Sequence, residues 1–267
     1  MSEQAEQAAP GSHSDEYDDA MVAMLELIWG EGFLAPGGSA TVRRAVGGLD
    51  LAGKAVLDIG CGIGGGDLVL AGELGAQVTG IDLELPLIER ARRSAEAAGL
   101  ADRIAFRHTE PGPLDFADGS FDVVYSSGCF TQVEDKAGMF AEVFRVLKPG
   151  GTFTVYDWMK GPDPYSTDMR TWFELEGLTY AMETLDAHGK LMEDAGFVEV
   201  ALEDDGGWYR DHCRGEYEKM QGPFKDRMLD ALGREKQKHF IENWRAMLVV
   251  LESGELRPGF YRGRKPA

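Results

Sequence analysis

Apolar residues along this chain follow two rhythms, and the switch between them marks where the fold changes character. From Tyr17 to Trp29 they recur at helical spacing, with Met21, Met24, Leu25 and Ile28 on one face. GEGFLAPGG (30–38) ends that helix with Gly and Pro, and Ser39 is placed to cap a second helix through Val46. Beyond LDLAGK the apolar runs shorten. Val56-Leu57 leads a buried strand, LVLAGEL reads as the helix behind it, and AQVTGID (76–82) as the next strand. LPLIERARRSAEAAGL (85–100) is a helix ended by Gly99, and RIAFRH (103–108) a third strand. FDVVYS (121–126) and GTFTVYDW (151–158) read as strands on either side of a helix from about Lys136 to Leu147, closed by KPGG. Strands alternating with helices predict an α/β fold with a doubly wound parallel sheet, whose ligands sit at the carboxyl ends of the strands.

After Trp158 the alternation loosens. Residues 160–182 are aromatic-rich and are expected to form a helical insertion over the sheet edge, followed by a helix to Ala195 and a strand at FVEVALED. A helical stretch from about Arg210 to Leu251 and an edge strand in GELRPGFYRGRK complete the pattern. Residues 1–14 have the composition of a poorly ordered tail. The expected organisation is that tail and one domain over 15–267. Within it lie N-terminal helices at 15–50, a ligand-binding core at 51–158, and a cap insertion with the last strands at 159–267.

Charge narrows the partners. Lys+Arg 27 against Asp+Glu 46 gives a formal net charge of -19, which repels phosphate backbones and anionic membrane surfaces, so neither nucleic acid nor membrane is expected as a partner. The cysteines Cys61, Cys129 and Cys213 are widely separated and form neither a disulfide framework nor a metal spacing. The first residues lack the basic and apolar runs of a leader, and no segment is apolar enough to span a bilayer; a cytoplasmic protein, monomer or homodimer, is expected.

The candidate chemistry lies in VLDIGCGIGGGD (56–67), where five glycines follow a carboxylate. Gly60 to Gly65 fit GxGxxG, and Asp82 stands 22 positions after Gly60, where a ribose-binding acid belongs in a dinucleotide site. Asp58 discriminates. A fixed carboxylate a few Å from a pyrophosphate repels it, whereas S-adenosylmethionine carries an ammonium and a sulfonium and no phosphate. Each acid also has a plainer reading: Asp58 as a helix cap, Asp82 as a turn residue, Glu110 as a solvated loop acid, while Gly65 and Gly66 serve helix–sheet packing.

VLDIGCGIGG, GID (80–82), DGSFDVVYS and VLKPGG, in this order and spacing, resemble the class I S-adenosylmethionine-dependent methyltransferases. The resemblance implies a Rossmann-like, seven-stranded methyltransferase sheet with an antiparallel last strand, an N-terminal helical lid, a helical insertion after the fifth strand, and S-adenosyl-L-methionine as cofactor. It implies Asp58 and the Gly60–Cys61–Gly62 backbone at the methionine end, Asp82 on the ribose, and Leu83 against adenine. Thr109 and Glu110 would lie near the adenine edge, with Tyr17, Leu34 and Ser126 completing the cofactor set. A narrower similarity, carried by Tyr17, Trp29-Gly30-Glu31, Gly37-Gly38, Trp244 and the terminal GELRPGFYRGRK, is to the phosphoethanolamine and the sarcosine/dimethylglycine N-methyltransferases. In those families a lid tyrosine pairs with a histidine from the loop after the fourth strand. Here Gln132 stands at that place and cannot take a proton, Gly128 replaces a nearby acid, and Leu178 and Met247 stand where the phosphobase enzymes carry Arg and Lys.

The expected acceptor is therefore a small, partly apolar molecule, N-methylation ahead of O-, S- or C-methylation. Tyr17 would close the lid and Gln132 orient the acceptor. Phe130, Trp158, Met159, Trp172, Phe173, Met182 and Met247 are the candidate pocket wall, and Glu174, Glu176, His188 and His212 the reserve of bases; His13, His108 and His239 read as structural or surface residues. Two rivals stay open: a protein using S-adenosylmethionine as a scaffold without methylation, and, more remotely, a nicotinamide-dependent oxidoreductase.

Overall fold

The computed structural model describes residues 17–161, 164–178 and 180–267; the expected tail at 1–14 and His13 lie outside the described residues. The first helix, α1 (Asp19–Trp29), starts where Asp18 Oδ1 accepts the Met21 N–H at 2.8 Å, and it buries Val22, Met24, Leu25 and Ile28. Helix α2 (Gly38–Ala45) is not capped by Ser39. Its N-cap is Gly37 in the left-handed region, φ 79°, and the Ser39 hydroxyl accepts from Arg43 instead.

Seven strands form one sheet in the order β3-β2-β1-β4-β5-β7-β6. β1 (Ala55–Ile59), β2 (Gln77–Asp82), β3 (Ile104–His108), β4 (Phe121–Ser127) and β5 (Leu147–Asp157) pair parallel. β7 (Gly259–Arg264) pairs antiparallel with β5 and with β6 (Val198–Asp204). The terminal segment is thus an interior strand and not the expected edge: it runs between two partners with Phe260 and Tyr261 buried, and β6 is the exposed edge. The crossovers are α3 (Gly65–Leu68, continued by a wider π turn over Val69–Glu73), α4 (Leu85–Ala97), α5 (Lys136–Val146) and α7 (Leu185–Asp194).

Helix α6 (Thr167–Glu176) lies in the expected insertion. The expected continuous helix near the end is two: α8 (Gly206–Gln221) and α9 (Lys225–Ser253), separated at Gly222-Pro223-Phe224, with a second break in α9 at Gly233. One apolar cluster packs β1 and β2 against α2 and α4, and a second packs the opposite sheet face around Phe140, Phe153 and Tyr261. A third joins α1 to α6, α8 and α9 through Met24, Trp172, Tyr209 and Trp244. The chain leaves β1 for β2 on one side and returns to β4 on the other, so the crevice for a ligand opens at the carboxyl ends of β1 and β4.

Burial of β7 between two strands leaves no room on one glycine. A methyl group at Gly259 would stand 2.5 Å from the Glu203 carbonyl, whereas one at Gly207 meets nothing within 4 Å. Gly259→Ala is expected to lower stability by about 1–3 kcal/mol, and Gly207→Ala to leave it unchanged or slightly raised; urea unfolding of the two variants checks this.

Candidate active site

The carboxyl end of β1 carries Asp58 inside an otherwise apolar strand, in register with Gly80 of β2 and Tyr125 of β4. It is 3% exposed, and no donor reaches its Oδ1. Asp67, from α3, is 0% exposed, and among the described residues no N–H or hydroxyl reaches either of its oxygens. The two carboxyls face one another, an arrangement that holds with a proton between them or a cation beside them. Two glycines leave them space: a methyl at Gly66 would lie 3.3 Å from Asp58 Oδ2, and one at Gly80 only 2.7 Å from Asp67 Oδ1. Burial, then the charge of Asp82, pushes Asp58 up to about 8; burial and Asp58 push Asp67 well above the carboxylate range. Asp58 is no helix cap, since α3 starts from Gly64 without a side-chain cap.

The loop from 60 to 65 is closed by its own backbone. Gly60 and Cys61 both donate to the Ile81 carbonyl, Gly64 to Cys61, and Gly65 to Gly32 of the turn after α1 at 2.9 Å. Gly62 donates to Asp82 Oδ2 at 2.8 Å, while Asp82 Oδ1 accepts the Glu84 N–H at 2.9 Å. A phosphate held at a glycine-rich turn needs free N–H groups, and these five are engaged. The donor-poor, acid-rich mouth suits a cation. Gly65 does more than pack helix on sheet: a methyl there would lie 2.2 Å from the Gly32 carbonyl, so its bareness admits the lid turn. Glu26 Oε1 fixes that turn by accepting the Gly32 N–H at 2.8 Å, and Leu34 reaches over Gly62, its Cδ1 3.3 Å from where a Cβ would stand.

Among the other residues expected at the cofactor, Leu83 is 41% exposed beside the mouth, its carbonyl 2.9 Å from His108 Nε2. Thr109 donates its N–H to the Asp82 carbonyl, and Glu110 projects into solvent. Burial, and then the charges of Asp67, Asp82 and Asp58, push the Cys61 thiol well above its ordinary value and disfavour the thiolate. Ser126 departs from the expected set: it is fully buried, and its hydroxyl donates to the Ile59 carbonyl at 2.7 Å, so it joins β4 to β1.

Of the residues expected at the acceptor, Trp158, Trp172, Met182 and Met247 gather in one cluster with Tyr17, Phe173 and Tyr180. Phe130 and Met159 do not. Both are 0% exposed in the cluster on the other sheet face, where Phe130 packs on Phe140 and Phe153. His188 belongs there too, stacked on Tyr261 and pushed down to about 4 by burial. His212 pairs with Glu216 at 3.3 Å on α8, and Glu174 is exposed. Gln132 closes the short turn 130–132 after β4. That turn is held by Asp157, whose Oδ2 accepts the Thr131 N–H at 2.8 Å and whose Oδ1 accepts the Trp158 N–H at 2.7 Å. The Ala181 N–H reaches the Thr131 carbonyl at 2.7 Å, and Lys136 Nζ bridges the Val133 and Ala181 carbonyls. The segment after α6 is thereby fastened beside Gln132. Glu176 accepts from Tyr180 Oη at 3.1 Å and from Asn243 Nδ2 at 2.7 Å. Asp67, Asp157, Lys136, Tyr180 and Asn243 are residues that sequence reasoning missed; only the acid after the glycine run left a mark in the sequence. Among the described residues no group of three or more His, Cys, Asp or Glu is arranged to hold a metal ion, and no helix is long and apolar enough to cross a membrane.

The family model described as a methyltransferase domain matches residues 57–155. The chain is 31% identical over 251 residues to phosphoethanolamine N-methyltransferase 3 of Arabidopsis thaliana, covering 94% of this chain and 50% of that protein. It spans about half the length of the plant relatives it matches. Phosphoethanolamine N-methyltransferase 2 of Haemonchus contortus, solved with phosphomonomethylethanolamine and S-adenosylhomocysteine, superposes with TM-score 0.87 at 24% identity, over 95% of this chain and 59% of that one. Sterol 24-C-methyltransferase erg6 of Aspergillus fumigatus is 40% identical over 116 residues, 43% of this chain and 30% of that one. The sheet order, the acid-bearing glycine loop and these likenesses agree: residues 57–155 match the methyltransferase domain, and the chain has the fold of S-adenosylmethionine-dependent methyltransferases.

Proposed function

We propose that this chain transfers a methyl group from S-adenosylmethionine to a small, partly apolar molecule, with nitrogen the favoured acceptor atom. The observation that carries the reading is Asp58, sealed at the end of β1 with an oxygen that no N–H or hydroxyl of the described residues reaches, below a loop in which the N–H groups of Gly60, Cys61, Gly62, Gly64 and Gly65 are already engaged. The cofactor's ammonium and sulfonium match that acid, and it brings no phosphate. In this reading Asp58 meets the ammonium and Asp82 the ribose hydroxyls, through lone pairs that Gly62 and Glu84 leave open. Leu83 faces adenine, with Thr109 and Glu110 at its edge, and Leu34 closes over Gly62.

When bound, the cofactor supplies a methyl carbon activated by S⁺. The protein's own tasks are to hold the acceptor in line and to keep water out. Tyr17 closes the lid, Gln132 orients the acceptor, and the wall is Trp158, Trp172, Met182 and Met247. Lid helices, core and cap act as one methyltransferase unit. Gln132, which cannot exchange a proton, is the feature that favours the second reading, binding of S-adenosylmethionine without methyl transfer. Phosphoethanolamine is disfavoured as acceptor, because Leu178 and Met247 offer a phosphate no cation.

A labelled-methyl assay over amines, phenols, thiols and prenyl-type molecules is expected to give S-adenosylhomocysteine with a turned-over acceptor; cofactor binding without any product from the panel supports the scaffold reading instead. Asp58→Asn is expected to weaken S-adenosylmethionine about 10- to 100-fold by calorimetry, the size of a lost hydrogen bond to a charged group.

The raised carboxyl also sets a pH dependence. A cation selects the ionised form of Asp58, so affinity for S-adenosylhomocysteine, which keeps the ammonium, should rise from about pH 6 toward 8 and then level. In the free chain the sign reverses. Between the unfolded value of 3.8 and the folded value of about 8 the folded state binds the extra proton, so stability falls as pH rises through that window. Asp67→Asn removes one acid from the pair and should raise Tm at pH 8 by about 2–4 °C relative to the parent, with a smaller difference near pH 5; scanning calorimetry of both proteins reads the two slopes.

A further inference from the structure

Glu176, at the last turn of α6, is an acid set among aromatic rings. Trp172 stacks on Tyr180 with ring centroids 5.4 Å apart at 11°, and Phe173 lies 5.6 Å from Tyr180. Its carboxylate accepts Tyr180 Oη at 3.1 Å and Asn243 Nδ2 at 2.7 Å. Asn243 is 4% exposed, and with its amide nitrogen turned to Glu176 its Oδ1 has no donor. A buried amide oxygen without a donor, beside a carboxylate with lone pairs to spare, makes a pair of acceptors in search of N–H groups.

Three observations place this pair on the acceptor side of the site. Tyr17 from the lid packs in the same cluster and lies within electrostatic reach of Tyr180. The residue after Tyr180 is hydrogen-bonded to the turn that carries Gln132. Trp158, the first residue beyond β5, has its ring 6.2 Å from that of Trp172.

We infer that Glu176 and Asn243 bind the ammonium group of the methyl acceptor, which is a primary or secondary amine with an apolar body. Two acceptor atoms side by side ask for two N–H donors, which a quaternary ammonium lacks. A carboxylate beside an amide oxygen favours a cation over an alcohol of the same shape, and the net charge of -19 draws cations to the molecule. Glu176 then has a second task. One ammonium N–H bond breaks, its proton passes to the Glu176 carboxylate, and the electron pair stays on nitrogen as the nucleophile. Burial raises the carboxyl of Glu176, which brings it closer to an amine in proton affinity. The titratable groups facing it are Tyr180 and His239 from α9; Tyr17 acts on Tyr180.

This inference rests on the methyltransferase reading, and the test separates the two. Calorimetry of the full chain with S-adenosylhomocysteine is run first; failure of that ligand to bind counts against the methyltransferase reading alone. Benzylamine, N-methylbenzylamine, benzyl alcohol, benzyltrimethylammonium and phosphoethanolamine are then titrated with and without S-adenosylhomocysteine. The two amines are expected to bind about tenfold or more tighter than the alcohol and the quaternary ion, and Glu176→Gln to remove that preference while its affinity for S-adenosylhomocysteine stays within about twofold. Should Glu176→Gln fail to fold by circular dichroism, Asn243→Ala must reduce the preference in the same direction. Equal binding of amine and alcohol, tighter binding of phosphoethanolamine than of benzylamine, or an amine preference untouched in a folded Glu176→Gln protein overturns the assignment.

Discussion

Carboxylates crowded out of water repel one another, and the mouth of this site holds three of them. Asp58 and Asp67 are almost wholly buried, and Asp82 stands beside them at the end of β2. Among the described residues no Lys or Arg is paired with any of the three. At low local dielectric such a group must either keep a proton or receive a cation from outside. Much of the neighbouring structure follows from accommodating it. Gly66 and Gly80 are bare where the two buried carboxyls need space, and Asp82 is stabilised by two backbone donors that at the same time fold the loop and start α4. An acid cluster of this kind takes up a cation in place of its proton and repels a phosphate.

The two coverings of the crevice are attached differently. The lid turn is held by backbone contact, Gly65 to Gly32, and by the Glu26 carboxylate. The cap is fastened at 181 to the turn after β4 and clamped by Lys136. Tyr17 touches both territories, since it packs with the cap cluster and with Val22, Ile63 and Leu87 beside the glycine loop. Its ring therefore joins the cap cluster to the cluster beside the glycine loop.

How much of this was legible in the chain depends on how local each feature is. The strand–loop–helix run at 55–68 could be read residue by residue, because a buried strand ending in an acid and glycines has few other meanings. The sheet position of β7 could not: GFYRGR carries Arg262 and Arg264, which suit a strand at a sheet edge, and its burial comes from β5 and β6, which lie far away in sequence. Phe130 and Met159 show the same limit, since an aromatic or Met after a strand looks alike whether it faces a cavity or the core behind the sheet. Asp67 reads as an acid favoured at a helix start, and only the fold turns it toward Asp58. The pairing of Glu176 with Asn243 joins residues 67 positions apart and leaves no pattern along the chain.

The most direct test of the electrostatic match at Asp58 is a calorimetric comparison, on one preparation, of S-adenosylhomocysteine with oxidised nicotinamide adenine dinucleotide, which shares its adenosine but brings a pyrophosphate. A saturable isotherm for the first at one site per chain and no heat from the second is the expected result. Binding of the dinucleotide with no response to S-adenosylhomocysteine would contradict it.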